Sequence, residues 1–291
     1  LGAMYNSKIA PLTHANIKGV LWYQGETSVK RADIYAEQLD LLKEEWGKQF
    51  GFEDDTMPLI FTQIAPYIYI NDKDTNQSYF TGMMDAMKEF YNRNSNTASM
   101  LTIYDVSLRY EDHVLPQAIH TTVKKPVGER FALGAMGLAY NKAEATAPIL
   151  ENHFITDDKV VLTFEHVGEG LQVVGQESKD VLGFAVCGEN GIWVNATAKI
   201  TGENIVEVYS DFVTAPLYVS YAYCDMNTDA NLCASNGIPA APFTTGGTYG
   251  FGSRSYLNCD EDLFVATDLT GGGSGEYRNL WTVKNRITSV S

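Results

Sequence analysis

The stretch from Gly19 to Ser28, GVLWYQGETS, constrains the fold most. An apolar run, Val20 to Tyr23, breaks abruptly into an amide, a glycine and a carboxylate, as a buried strand does when it delivers polar groups to the edge of a sheet. Gly25, without a Cβ, permits a sharp turn and a close approach of backbone to a ligand. Gln24 and Glu26 flank it. A side-chain amide and neighbouring N–H groups there could face a developing oxyanion, and the carboxylate could orient a histidine. The same residues could instead simply tie the turn together by hydrogen bonds.

The pattern around this stretch is strand, helix, strand. The run Ile17 to Tyr23 reads as a strand, and Thr27 or Ser28 is placed to cap a helix with the stripe Tyr35, Leu39, Leu42 and Trp46. Leu59 to Ile64 follows as a second strand, Gly82 to Tyr91 as a helix, and Met100 to Tyr104 as a third strand closed by Asp105. A long connection, Val106 to Thr122, leads to a helix after Pro126 with Val127, Phe131, Ala135 and Leu138 on one face. Such alternation predicts an α/β fold with a doubly wound parallel sheet, whose ligand site lies outside the carboxyl ends of the strands. That rim would gather Gln24, Gly25 and Glu26, the turn after Ile64, and the loop carrying His113 and His120.

After Tyr140 the pattern changes to short apolar runs separated by Gly, Asn and Asp turns: Lys159 to Phe164, Phe184 to Val186, Ile205 to Tyr209 and Leu217 to Tyr221. This is the pattern of a β-sandwich. The expected division is residues 1–142, 143–250 and a glycine-rich tail or linker, 251–291. With 291 residues, two domains are the first expectation. A net charge of -15 without a basic patch argues against nucleic acid and anionic membrane surfaces as partners. No run approaches the length of a membrane span. No signal peptide is visible, and the segment LGAMYNSKIAPLT reads as an internal start. Cys187, Cys224, Cys233 and Cys259 lack the paired spacing of a zinc site; Cys224 and Cys233 could pair across a polar loop or stay as buried thiols.

Three ordered blocks carry a resemblance. WYQGE, the fragment YNSKIAPLT, and His120 followed by Val127, Gly128 and Arg130 resemble the sialate O-acetylesterases and related carbohydrate acetylesterases of the SGNH hydrolase superfamily. The β-rich segment ending in NGIPAAPFTT also looks like the C-terminal domain of that family.

The resemblance implies a cofactor-free and metal-free serine hydrolase acting on acetylated carbohydrate outside the cytoplasm, extracellular or periplasmic. His120 would serve as general base, Glu26 as its orienting carboxylate, and Gln24, Gly25 and Trp22 as oxyanion or substrate-binding groups, with Asp105 and Asp112 as alternative acids. The chain departs from the pattern at Ala118, where relatives carry an aspartate, and at Thr121, where they carry a proline. Its serines have the wrong neighbours for the family's nucleophile block, Ser7 in a polar turn and Ser28 at a helix cap. The nucleophile is therefore expected on an upstream segment or a second chain, and the competing expectation is an inactive glycan-binding homologue.

Overall fold

The computed structural model describes residues 2–66, 79–106, 109–110, 113–114, 121, 123–142, 145–174, 180–224 and 230–246. Strands β1 (Val20–Trp22), β2 (Leu59–Thr62) and β3 (Ala98–Leu101) form a parallel sheet in the order β1-β2-β3, with Trp22 opposite Phe61 and Thr62 opposite Leu101. Both β2 and β3 are buried at every position, because helices cover both faces of the sheet. Helix α1 spans Tyr35–Gln49, α2 spans Tyr79–Arg93 and α3 spans Lys124–Tyr140.

Alternate residues of β2 meet opposite layers. The Phe61 ring lies 5.3 Å from that of Phe90 on α2. Ile60 faces α3, where a Cβ on Gly134 would stand 2.7 Å from the Ile60 Cγ2 and 3.0 Å from the Ser99 hydroxyl. Residue 134 can therefore carry no side chain while α3 lies this close to the sheet. The predicted stripes hold: Tyr35 and Leu39 are buried, Val127 and Phe131 are buried, and Leu42, Trp46, Ala135 and Leu138 pack against the same core.

One local expectation is corrected. Thr27 and Ser28 do not cap α1; a 3-10 stretch, Glu26–Ile34, kinked at Arg31, intervenes. Both hydroxyls instead lie within reach of the Gln24 side-chain amide N–H, at 3.3 and 3.2 Å, so neither is turned forward onto a helix N–H group. The strands also prove shorter than the apolar runs that announced them, because Tyr23, Gln63 and Thr102 lie past the last paired residues at the rim.

After a short pair, β4 (Arg109–Tyr110) and β5 (His113–Val114), the remaining described strands are β6 (Ile149–Ile155), β7 (Lys159–Glu165), β8 (Leu171–Val173), β9 (Phe184–Cys187), β10 (Trp193–Asn195), β11 (Thr197–Ile200), β12 (Ile205–Tyr209), β13 (Tyr218–Tyr221), β14 (Leu232–Ala234) and β15 (Phe243–Thr244). Two four-stranded antiparallel sheets result, β11-β12-β7-β6 and β10-β9-β13-β15. Val160, Leu162, Val206 and Val208 from the first share one buried cluster with Phe184, Val186, Val219 and Phe243 from the second. Along β12, buried Val206 and Val208 alternate with half-buried Ile205, Glu207 and Tyr209, as a sheet with one interior face requires. Cys187, Cys224 and Cys233 are buried thiols, so the Cys224–Cys233 pairing is not made.

The two halves are fastened at the carboxyl end of β3. The Thr102 hydroxyl donates to the Pro239 carbonyl, and Tyr104 donates to the Ala240 carbonyl at 2.9 Å. The Tyr104 hydroxyl also lies 3.1 Å from that of Tyr221. The backbone of Ala147 donates to Met100 and that of Ala241 to Pro148, each at 2.8 Å. Ile238 and Ala241 enter the core of the α/β half itself. No helix among the described residues is long and apolar enough to cross a membrane.

Candidate active site

The carboxyl end of β1 turns at Gly25, whose φ of 157° is unfavourable for residues with a side chain. Space forbids one as well: a Cβ would stand 2.5 Å from the Ile64 Cγ2 and 2.7 Å from the Met87 Cε. The turn is thus pressed directly onto the end of β2. Gly25→Ala is expected to destabilise the fold by about 1–3 kcal/mol through overpacking and backbone strain. Thermal denaturation checks this, and an unchanged melting temperature would show that Ile64 and Met87 yield freely.

Tyr35, at the start of α1, organises the turn. Its hydroxyl lies 2.9 Å from both the backbone carbonyl and the side-chain Oε1 of Gln24 and shares its proton between them. The Trp22 indole N–H donates to the same hydroxyl at 3.2 Å. Burial, with the nearby Glu26 charge adding to it, pushes the Tyr35 phenol up to about 12, so it remains a donor throughout the neutral range. The Gln24 side chain is held at both ends, its carbonyl by Tyr35 and its N–H groups toward Thr27 and Ser28.

The Trp22 ring packs edge-on against Trp46 of α1 with centroids 6.0 Å apart. Tyr23, on the opposite side, lies tilted against Phe131 of α3 and beneath the Lys124 ammonium, 5.0 Å from its ring centre. Burial raises the Tyr23 phenol above its ordinary range, and Glu26 adds to the shift. Glu26 itself is half-buried, and its carboxylate makes no hydrogen bond among the described residues.

At the end of β3, Asp105 sits in a short turn, Tyr104–Val106, and is gripped by Arg130 of α3. The two guanidinium nitrogens meet the two carboxylate oxygens at 2.6 and 2.5 Å, and the guanidinium also donates to the Thr102 carbonyl at 2.9 Å. Both oxygens of Asp105 are thereby engaged. The Thr121 hydroxyl donates to the Val106 carbonyl, which fixes the residue following position 120 beside the end of β3.

The structure therefore brings Trp22, Gln24, Gly25 and Glu26 together at one strand end and sets Asp105 at the end of β3, two strands away in the same sheet. His120 and Asp112 lie outside the described residues. Among the described residues, no group of three His, Cys, Asp or Glu side chains is arranged to hold a metal ion. Sequence reasoning placed Tyr35 only in the apolar stripe of α1 and did not pair Asp105 with Arg130. The signal for the second was a charged residue, Arg130, embedded in the apolar stripe between Val127 and Phe131.

The fold is similar to that of a carbohydrate acetylesterase of known structure. The crystal structure of a carbohydrate acetylesterase from Xanthomonas citri matches with a TM-score of 0.71 and 32% identity, over 84% of this chain and 54% of that one. The sialate O-acetylesterase of Mus musculus is 25% identical over 255 residues, and that of Homo sapiens 23% over 255. Each of these alignments takes in 82% of this chain, and respectively 46% and 48% of the relative. No family model matches the chain. The chain is thus similar to sialate O-acetylesterases and to a carbohydrate acetylesterase, and it spans about half the length of the curated relatives it matches.

Proposed function

We propose that this chain is part of a carbohydrate O-acetylesterase, with a doubly wound SGNH-type sheet within residues 1–142, a β-sandwich within 143–250 and a tail or linker over 251–291. The observation that carries the reading is the Gln24–Gly25–Glu26 turn, compressed onto the end of a parallel sheet in a chain homologous to acetylesterases over most of its length. His120 acts as general base, accepting the serine proton and returning one to the leaving sugar oxygen. Glu26 holds its imidazole, and the Gln24 and Gly25 turn faces the developing oxyanion. Trp22 supports that turn through Tyr35. The substrate is an acetylated sugar, and the protein works outside the cytoplasm as the resemblance implies.

The serine comes from a polypeptide segment other than residues 1–291. Ser28 is within hydrogen-bond reach of Gln24, Ser7 donates to the Met4 carbonyl on an exposed turn, and Ser99 is buried against the Ala145 carbonyl. None stands beside a described histidine. The edge of β1, unpaired among the described residues and with Leu21 56% exposed, offers a place for a further strand. The test is an assay of the full-length protein on acetylated sugars together with a serine-directed phosphonate probe. Acetate release and labelling of a serine outside residues 1–291 are expected. Labelling within residues 1–291 would overturn the two-segment reading, and no acetate release would favour an inactive glycan-binding protein.

A further inference from the structure

A groove opens beside α3, between that helix and the turn at Asn236 and Gly237 that leads from β14 to β15. Its volume of about 470 Å³ falls in the range of small-ligand sites. Helix α3 begins at the rim, where Lys124 lies over Tyr23 and Thr121 is tied to the end of β3. It then runs back along the sheet until Gly134 meets Ile60 and Ser99. The groove follows it from Pro126 to Met136, about 15 Å of helix.

Leu133 and Met136 supply the apolar surface of the groove and are 39% and 44% exposed. Polar groups with bonds to spare stand beside them. Arg130, 7% exposed, directs Nη1 to the Thr102 carbonyl and to Asp105, and Nη2 to Asp105; its Nε–H has no partner among the described residues. Asn236 accepts the Ile238 N–H through Oδ1 at 3.1 Å, and its amide N–H groups make no hydrogen bond among the described residues. The Glu129 side chain is 61% exposed and meets only Lys125 among the described residues, at 3.6 Å. Gly237, with a φ of 81°, brings no side chain, and a Cβ there would meet nothing within 4 Å.

These groups select a class of ligand. Asp105 cancels the charge of Arg130 and the exposed Glu129 carboxylate repels an anion, so a neutral molecule fits best. What the groove offers is N–H donors and a carboxylate acceptor beside an apolar surface. A neutral sugar ring matches each of these, with oxygens that accept, hydroxyl hydrogens to donate and C–H faces for Leu133 and Met136.

Resting on the esterase reading, we propose that this groove is a subsite for the unacetylated units of a neutral oligosaccharide whose acetylated unit occupies the rim. Arg130 joins the two places, because the guanidinium that lines the groove also holds the Asp105 turn at the end of β3. The substrate class is then an acetylated oligosaccharide and not a free acetylated monosaccharide. Contacts with units remote from the ester add binding energy that a single sugar lacks.

The test uses the full-length protein and three neutral, unacetylated probes, xylotetraose, cellotetraose and maltotetraose, titrated calorimetrically. At least one should bind, and its Kd should rise about tenfold or more in the double variant Leu133→Glu, Met136→Glu. Both side chains are more than a third exposed, so the melting temperature should hold. If the double variant does not fold, Glu129→Ala on the exposed flank should raise the same Kd about three- to tenfold through one lost hydrogen bond. With the mono-O-acetylated form of the bound tetrasaccharide, kcat/KM should exceed that for the acetylated monosaccharide about tenfold or more, and the double variant should bring the ratio near one. Binding of none of the probes, binding equally tight in the folded variants, or a ratio near one in the parent overturns the proposal. Acetate release from the monosaccharide without tetrasaccharide binding would leave the esterase reading standing alone. Groove-dependent binding with no acetate release from either substrate would sink that reading and leave the subsite standing.

Discussion

His120→Ala in the full-length protein is expected to lower kcat by roughly a thousandfold or more with little change in KM, because without its base the serine hydroxyl remains a poor nucleophile. The same assay separates the candidate carboxylates. Both oxygens of Asp105 are held by Arg130, whereas Glu26 makes no hydrogen bond among the described residues. Glu26→Gln should therefore cost turnover steeply and stability little, since the shape is kept and the charge proposed to hold the imidazole is lost. Asp105→Asn should do the reverse. If Asp105→Asn abolishes turnover while its melting curve stays put, and Glu26→Gln is active, the orienting role passes to Asp105. Asp112→Asn belongs in the same series and should leave turnover near that of the parent.

The elements that position this rim were legible where one physical demand dominates the residue choice. Leu59 to Ile64 is apolar almost throughout because β2 is covered on both faces, and the stripe of α1 shows because its outer face meets water. Gln63 interrupts the first run, and that interruption was the one local sign of a polar demand inside the sheet. The 3-10 stretch Glu26–Ile34 was not legible. Thr27 and Ser28 satisfy the rules of a helix cap, but the Gln24 amide, three and four residues before them in the same turn, engages both hydroxyls, and a tertiary contact from Tyr35 decides its orientation.

 The Gln24 amide is simply a neighbour within the same turn, and the contact from Tyr35, eleven residues on, is what holds it there. Strand β6 was hidden for a different reason. Its residues Glu151 to Ile155 are exposed at a sheet edge, so Asn152 and His153 interrupt the apolar alternation without penalty.

Arg130→Met is expected to be the most destabilising substitution near the rim. The Arg130 side chain is 9% exposed and that of Asp105 29%, and removing the guanidinium leaves a carboxylate largely out of water with neither oxygen paired. Loss of one partner from a buried pair costs about 3–5 kcal/mol, and the remaining solvent contact of Asp105 trims this to about 2–4 kcal/mol. The Thr102 carbonyl loses a donor as well. Arg130→Met combined with Asp105→Leu should recover much of the loss, because the uncompensated charge disappears with the second change. Turnover should fall along with stability in the single variant, since the Tyr104–Val106 turn carries the carbonyl to which Thr121 is tied, and Thr121 adjoins His120. Denaturant melts of the two single variants and the double variant form the cycle that measures the coupling. Additive losses would show that Arg130 and Asp105 act independently, and would remove the reason for assigning Asp105 to the scaffold and leaving the imidazole to Glu26.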